Sequence, residues 1–136
     1  MHIKAITPTY AVSEQIHPTD FTAIVEAGFR TVICNRPDEE VPPPLQSAAM
    51  AIAAEAAGVD FKVLPLTHQT MNPENIAKQF EMVEAAGGPV LAYCASGTRC
   101  SVVWALSQSG KLSADEILSQ TAQAGYDLSG LRRALE

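Results

Sequence analysis

The sequence predicts an α/β fold, a mostly parallel sheet flanked by helices. Three observations lead there. Apolar runs of strand length alternate with helical patterns, as β-α-β units require. Glycines and prolines punctuate the junctions between them. The residues that carry chemistry stand at the carboxyl ends of the predicted strands, where open α/β sheets place their ligands.

The elements follow in order. Tyr10-Ala11-Val12 predicts a first strand or edge hairpin. Pro18-Thr19-Asp20 opens a helix through Phe21, Ile24 and Val25 that Gly28 ends, and Thr31-Val32-Ile33-Cys34 is a buried strand. Arg36 to Pro44 is a loop, because its prolines remove donors and fix φ. An Ala-rich helix through Ala48, Met50, Ile52 and Ala56 stops at Gly58, before a strand at Phe61-Lys62-Val63-Leu64. The loop from Pro65 to Asn72 leads to Pro73 in the first turn of a helix carrying Ile76, Phe80 and Val83, which ends at Gly87-Gly88. Pro89 to Tyr93 is the last strand, with Cys94 at its end. Ser101 to Gln108 reads as a helix with Val102, Val103 and Leu106 inward, and Ser113-Ala114-Asp115-Glu116 is a capping box opening another.

The 136 residues suit one domain, residues 1–136, with no repeats or low-complexity tracts. Fifteen acidic against nine basic side chains leave a net charge of -6, which repels nucleic acid and anionic membrane surfaces alike. No apolar stretch is long enough to cross a bilayer, and a cytoplasmic location is expected. Cys34, Cys94 and Cys100 form neither a disulfide framework nor a zinc pattern, so no metal and no cofactor are expected.

The chemistry is expected in Cys94-Ala95-Ser96-Gly97-Thr98-Arg99. A strand that ends in Cys and passes through small residues and Gly into Arg at a helix start builds an anion site. Loop N–H groups, the helix N-terminus and the Arg99 fork all favour negative charge. The same field lowers the pKa of the Cys94 thiol and makes it a nucleophile. The bland alternative is a buried cysteine beside an arginine that caps a carbonyl.

This loop resembles the Cys-x4-Arg loop of rhodanese-type sulfurtransferases and, one residue shorter, the Cys-x5-Arg loop of protein-tyrosine and dual-specificity phosphatases. Together with Ser13-Glu14-Gln15-Ile16, Gly28-Phe29-Arg30-Thr31-Val32-Ile33 and Asn35-Arg36-Pro37-Asp38, it resembles the phosphatase-like domain of bacterial beta-lactamase hydrolase-like proteins. The resemblance runs from Tyr10 to Leu106 and implies the dual-specificity or protein-tyrosine-phosphatase-like fold. It does not imply rhodanese proper, whose Gly-His-Ile-Pro-Gly-Ala-like segment is missing. In that family the domain occurs alone or fused to metallo-hydrolase or sulfide-oxidising modules, and a sulfurtransferase role has been attached to it. Two departures matter. Ala95 stands where the family commonly has Arg, so one cation is missing. Cys100 stands where it has Ser or Thr, so the hydroxyl steadying the thiolate comes from Thr98 or Ser101, or is absent.

Four residues between Cys94 and Arg99 make a tight cup, and Thr67 to Asn72 offers no Asp to protonate a leaving oxygen. Both features favour sulfur. The first expectation is therefore a sulfurtransferase: Cys94 takes sulfane sulfur from thiosulfate or a persulfide as Cys94-S-SH and passes it to a thiol acceptor. The alternative is a Cys-based phosphatase that cleaves a phosphate ester through a phosphocysteine. A third reading is a non-catalytic anion-binding module.

Around the loop, Asp38 is the substitute general acid and Arg36 its partner, against an ordinary solvated turn. Asn35 is placed to hydrogen-bond the loop, against a plain turn residue. His68 overhangs the pocket as a substrate or proton contact, against an exposed loop histidine. Cys34 reads as a buried apolar thiol. Cys100 is a small core-facing residue or, more sharply, a resolving thiol for Cys94. Ser101 is a supporting hydroxyl, and Trp104 anchors the loop's helix.

Overall fold

The computed structural model describes residues 1–136. Five strands form one sheet: β1 (Lys4–Thr7), β2 (Tyr10–Ser13), β3 (Thr31–Cys34), β4 (Asp60–Val63) and β5 (Val90–Tyr93). Their order is β1-β2-β5-β3-β4. Only β1 runs antiparallel, to β2. The other pairings are parallel, so the last strand in sequence lies at the centre of the sheet, between β2 and β3.

Helices cover both faces. α1 (Phe21–Glu26) and α2 (Ser47–Ala57) bury Phe21, Ile24, Met50 and Ala54 with Ala11, Val32, Leu91 and Tyr93. α3 (Pro73–Ala85), α4 (Thr98–Ser107), α5 (Ala114–Gln123) and the short α6 (Arg132–Leu135) lie over the opposite face. There Val12, Ile33, Val90 and Ala92 meet Trp104, Ala105, Ile117 and Leu135. The alternation of β5 explains the division: Val90 and Ala92 point to one core, Leu91 and Tyr93 to the other. Its continuous apolar sequence is what a strand covered on both faces requires.

The starts of α3 and α5 are those the sequence predicts, whereas α4 begins at Thr98 rather than Ser101, and Pro18–Asp20 forms a separate 3-10 turn before α1. The Asn72 side chain accepts from the Asn75 N–H at 2.9 Å ahead of Pro73, and Ser113 with Glu116 forms the reciprocal box that opens α5. Three expectations need correction. Tyr10 to Ser13 does belong to an edge hairpin, but as its second and inner strand; the first is β1, whose short sequence Lys-Ala-Ile-Thr alternates too briefly to be distinctive. Ile52 is 71% exposed rather than core-facing, because an Ala-rich helix gives little contrast between its faces. In α4 the buried residues are Cys100, Ser101, Val103, Trp104, Ala105 and Ser107, while Val102 and Leu106 are half-buried. No helix is long and apolar enough to cross a membrane.

Parallel strands end on the same side. The segments after β2, β3, β4 and β5 therefore collect at one rim, which brings Gln15, Arg36, Glu40, Leu66 and the Cys94 loop together from four parts of the chain.

Candidate active site

Cys94 follows the central strand and is 1% exposed. The loop turns back over its sulfur. Gly97 adopts φ +91° and leads directly into α4, and its N–H donates to Cys94 Sγ at 3.1 Å. The Cys94 thiol is lowered to about 5. The largest cause is a hydrogen bond from the Cys100 thiol; burial opposes it, and the N–H groups of Cys100, Ser96 and Gly97 add to it. At neutral pH the sulfur is a thiolate.

This answers the question raised by Cys100. The Ser101 hydroxyl donates to Gly97 O at 2.8 Å, and the Thr98 hydroxyl pairs with that of Ser96 at 3.0 Å, so both expected hydroxyls are engaged elsewhere. The Cys100 thiol is instead the leading influence on the Cys94 sulfur, beside the Gly97 N–H that bonds it. Cys100 is fully buried, and its own ionisation is pushed well up by burial and then by the neighbouring Cys94 sulfur, so it keeps its proton.

Arg99 sits one helical turn's start away with a half-buried side chain. A guanidinium has five N–H donors. Nη1 donates to Glu40 Oε2 at 2.8 Å and to Leu66 O at 2.9 Å, and Nη2 donates to Glu40 Oε1 at 2.8 Å. The two N–H groups that remain, on Nε and Nη2, lie side by side on one edge and form a second bidentate fork. Glu40 therefore fixes the plane of Arg99 and leaves a fork for an oxyanion. Arg36 holds Glu40 from the other side, Nε to Oε1 at 3.2 Å, while its Nη1 reaches Gln15 Oε1 at 3.2 Å. The Glu40 carboxyl is held below its ordinary value, chiefly by Arg99 and also by Arg36, so it stays ionised and is no proton donor.

Several expected residues have other work. Both Asp38 carboxylate oxygens bond Ser47, to its N–H at 2.7 Å and its hydroxyl at 3.1 Å, which satisfies the start of α2. Arg36 pairs with Glu40 and not with Asp38. Asn35 makes no side-chain bond to the loop. It exchanges amide bonds with Gln79 at 2.9 and 3.0 Å and donates to Leu64 O. Gln79 donates to Tyr10 Oη, and Tyr10 donates to Cys100 O at 2.8 Å, so Asn35 reaches the loop only through two intermediaries. Cys34 is buried on the opposite face from Cys94, its thiol donating to Arg36 O. His68 is exposed in the turn after Leu66.

Glu40, Tyr10 and Gln79 escape sequence reasoning. Arg36 and Glu40 at i,i+4 were the only local signal for Glu40, and its partner Arg99 is 59 residues away.

With this geometry in place, comparison with known proteins is informative. Residues 2–111 match the family described as beta-lactamase hydrolase-like protein, phosphatase-like domain. A beta-lactamase hydrolase-like protein of Agrobacterium fabrum (strain C58) is 31% identical over 138 aligned positions, covering 100% of this chain and 32% of that protein. The chain thus spans about a third of the length of the curated relatives it matches. A structure of a candidate phosphatase from Neisseria meningitidis Z2491 superposes with a TM-score of 0.88 at 32% identity, covering 100% of this chain and 97% of that one. Pseudomonas aeruginosa TpbA, solved as a cysteine-to-serine variant in complex with phosphotyrosine, gives a TM-score of 0.66 at 18% identity over 98% and 89% of the chains, a likeness of fold. The matched domain and these solved structures are described as phosphatases or phosphatase-like, which does not support the expected thiosulfate and thiol-acceptor chemistry.

Proposed function

The chain belongs to the family of phosphatase-like domains of beta-lactamase hydrolase-like proteins, and from that premise we propose that it is a cysteine-dependent phosphatase acting on aryl phosphate monoesters, within one domain of residues 1–136. The observation that carries the reading is the pairing of a thiol lowered to about 5 with an arginine whose free Nε/Nη2 edge can grip two oxygens.

Cys94 Sγ attacks phosphorus, the sulfur–phosphorus bond forms, and the aryl oxygen leaves with the bonding electron pair. Arg99 and the loop N–H groups neutralise charge on the equatorial oxygens. Water then attacks the phosphocysteine, releasing inorganic phosphate and restoring the thiolate. Asp38 is engaged with Ser47 and Glu40 is ionised between two arginines, so neither carboxyl supplies a proton to the leaving oxygen. That shortage, which favours sulfur when the sequence is read alone, is equally met by phenolate, a leaving group with pKa near ~10 that departs far more readily than an alkoxide. The phosphotyrosine bound by a protein of the same fold supports the same class.

The test compares p-nitrophenyl phosphate, phosphotyrosine and phosphoserine, with wild type and Cys94→Ser. Turnover of both aryl esters is expected, with phosphoserine at least about tenfold slower, and Cys94→Ser is expected to lose a factor of about a thousand or more. A wild type that leaves aryl phosphates intact while gaining one sulfur atom on Cys94 from thiosulfate would return the reading to sulfur transfer.

A further inference from the structure

The peptide unit between Ser96 and Gly97 carries two opposed groups. Its N–H, on Gly97, donates to Cys94 Sγ at 3.1 Å. Its carbonyl, on Ser96, accepts from the Tyr126 hydroxyl at 2.9 Å. The chain has no cis peptide, and a trans unit points its C=O and N–H in opposite directions, so holding one aims the other. The aim needs holding. Gly97 has no β-carbon and sits at φ +91°, and glycine takes either sign of φ readily, so local sterics leave this peptide free to turn. The start of α4 fixes only the following peptide, where Ser101 N and Oγ donate to Gly97 O at 3.0 and 2.8 Å.

We infer that Tyr126 is a positioning residue for the reacting thiolate: by gripping the Ser96 carbonyl, its hydroxyl aims the Gly97 N–H at the charged sulfur. The ring is well anchored for this. Tyr126 is 8% exposed, its backbone N–H donates to Thr121 O at 2.9 Å, and the Lys4 ammonium lies 4.9 Å from the ring centroid. It abuts the loop so closely that a β-carbon on Gly97 would collide with the hydroxyl. Burial pushes the phenol up to about 12, so it remains a donor throughout the working range. A carbonyl that accepts such a bond also polarises its own peptide and strengthens the N–H as a donor. Tyr126 lies beyond residue 111, where the family match ends. The inference rests on Cys94 being the reacting thiolate.

Ultraviolet thiolate absorbance, taken as the difference between each protein and its Cys94→Ser counterpart, titrates the sulfur without needing reagent access or turnover. The wild-type midpoint is expected near 5. Tyr126→Phe keeps the ring and removes the hydroxyl; its midpoint is expected to rise by ~0.5 to 1 unit, a three- to tenfold loss of thiolate below the midpoint. The kcat/KM for p-nitrophenyl phosphate should fall by at least the same factor there. Tyr126→Leu, measured below its own melting temperature, should show the same midpoint shift despite losing the ring. A midpoint within about 0.2 units of wild type in either folded variant overturns the inference. If no aryl phosphate is hydrolysed, the functional reading fails while the titration still decides the role of Tyr126.

Discussion

Cys100 shows how a single atom changes the reading of a residue. A cysteine next to the loop arginine looks like packing or a resolving thiol, because sequence gives its position but not the direction of its side chain. In the fold it is fully buried, and its thiol is the largest of the influences that lower the Cys94 thiol. A hydrogen bond to a charged group contributes ~1.5 to 3 kcal/mol, which converts to roughly one to two pKa units. Cys100→Ser, which keeps a donor, should therefore leave the pH profile of iodoacetamide alkylation of Cys94 nearly in place. Cys100→Ala should move its midpoint upward by about a unit or more. The sign follows from the proton: removing a donor destabilises the thiolate, so ionisation waits for higher pH. Equal midpoints in Cys100→Ala and wild type would exclude the thiol as the donor. The place of Cys94 was legible, since an apolar strand running into Cys, Gly and Arg marks the strand end and the helix start locally.

At the scale of elements, the strands and helices that carry strong apolar periodicity or explicit caps were legible, including β3, β5, α3 and α5. The edge strand β1 was not, because edge strands are short and half-solvated. The site was half legible for a related reason. Each loop at the carboxyl rim announces its own residues, but which loops meet depends on strand order, and placing β5 between β2 and β3 is a tertiary fact. That is why Asp38 was singled out in the loop after β3 and Glu40, two residues on, was not. The structure gives Asp38 to the start of α2 and Glu40 to Arg99. Replacing Glu40 by Gln removes one charge from the junction of the two loops and releases the plane of Arg99. Because transition-state binding depends on that plane, kcat/KM for an aryl phosphate should fall roughly tenfold to a hundredfold with the melting temperature little changed. An unchanged kcat/KM would mean that Arg99 needs no orienting partner.

Across the whole molecule, two cores share one sheet, and the sheet gathers two arginines at its carboxyl rim in a chain of net charge -6. The positive groups at that rim are few: Arg36 and Arg99 bracket Glu40, leaving one net positive charge beside the thiolate, with Ala95 adding none. Such a site relies on directed N–H groups and a fixed fork more than on a strong field, and its chemistry must be judged by the covalent intermediate it forms. The most direct measurement is acid quench within the first turnover on p-nitrophenyl phosphate, followed by intact-protein and peptide mass spectrometry. Phosphatase chemistry predicts one phosphoryl group on Cys94, absent from Cys94→Ser and accumulating when the attacking water is slow. Release of phosphate with no phosphoryl adduct on Cys94, or turnover that survives Cys94→Ser, would contradict it.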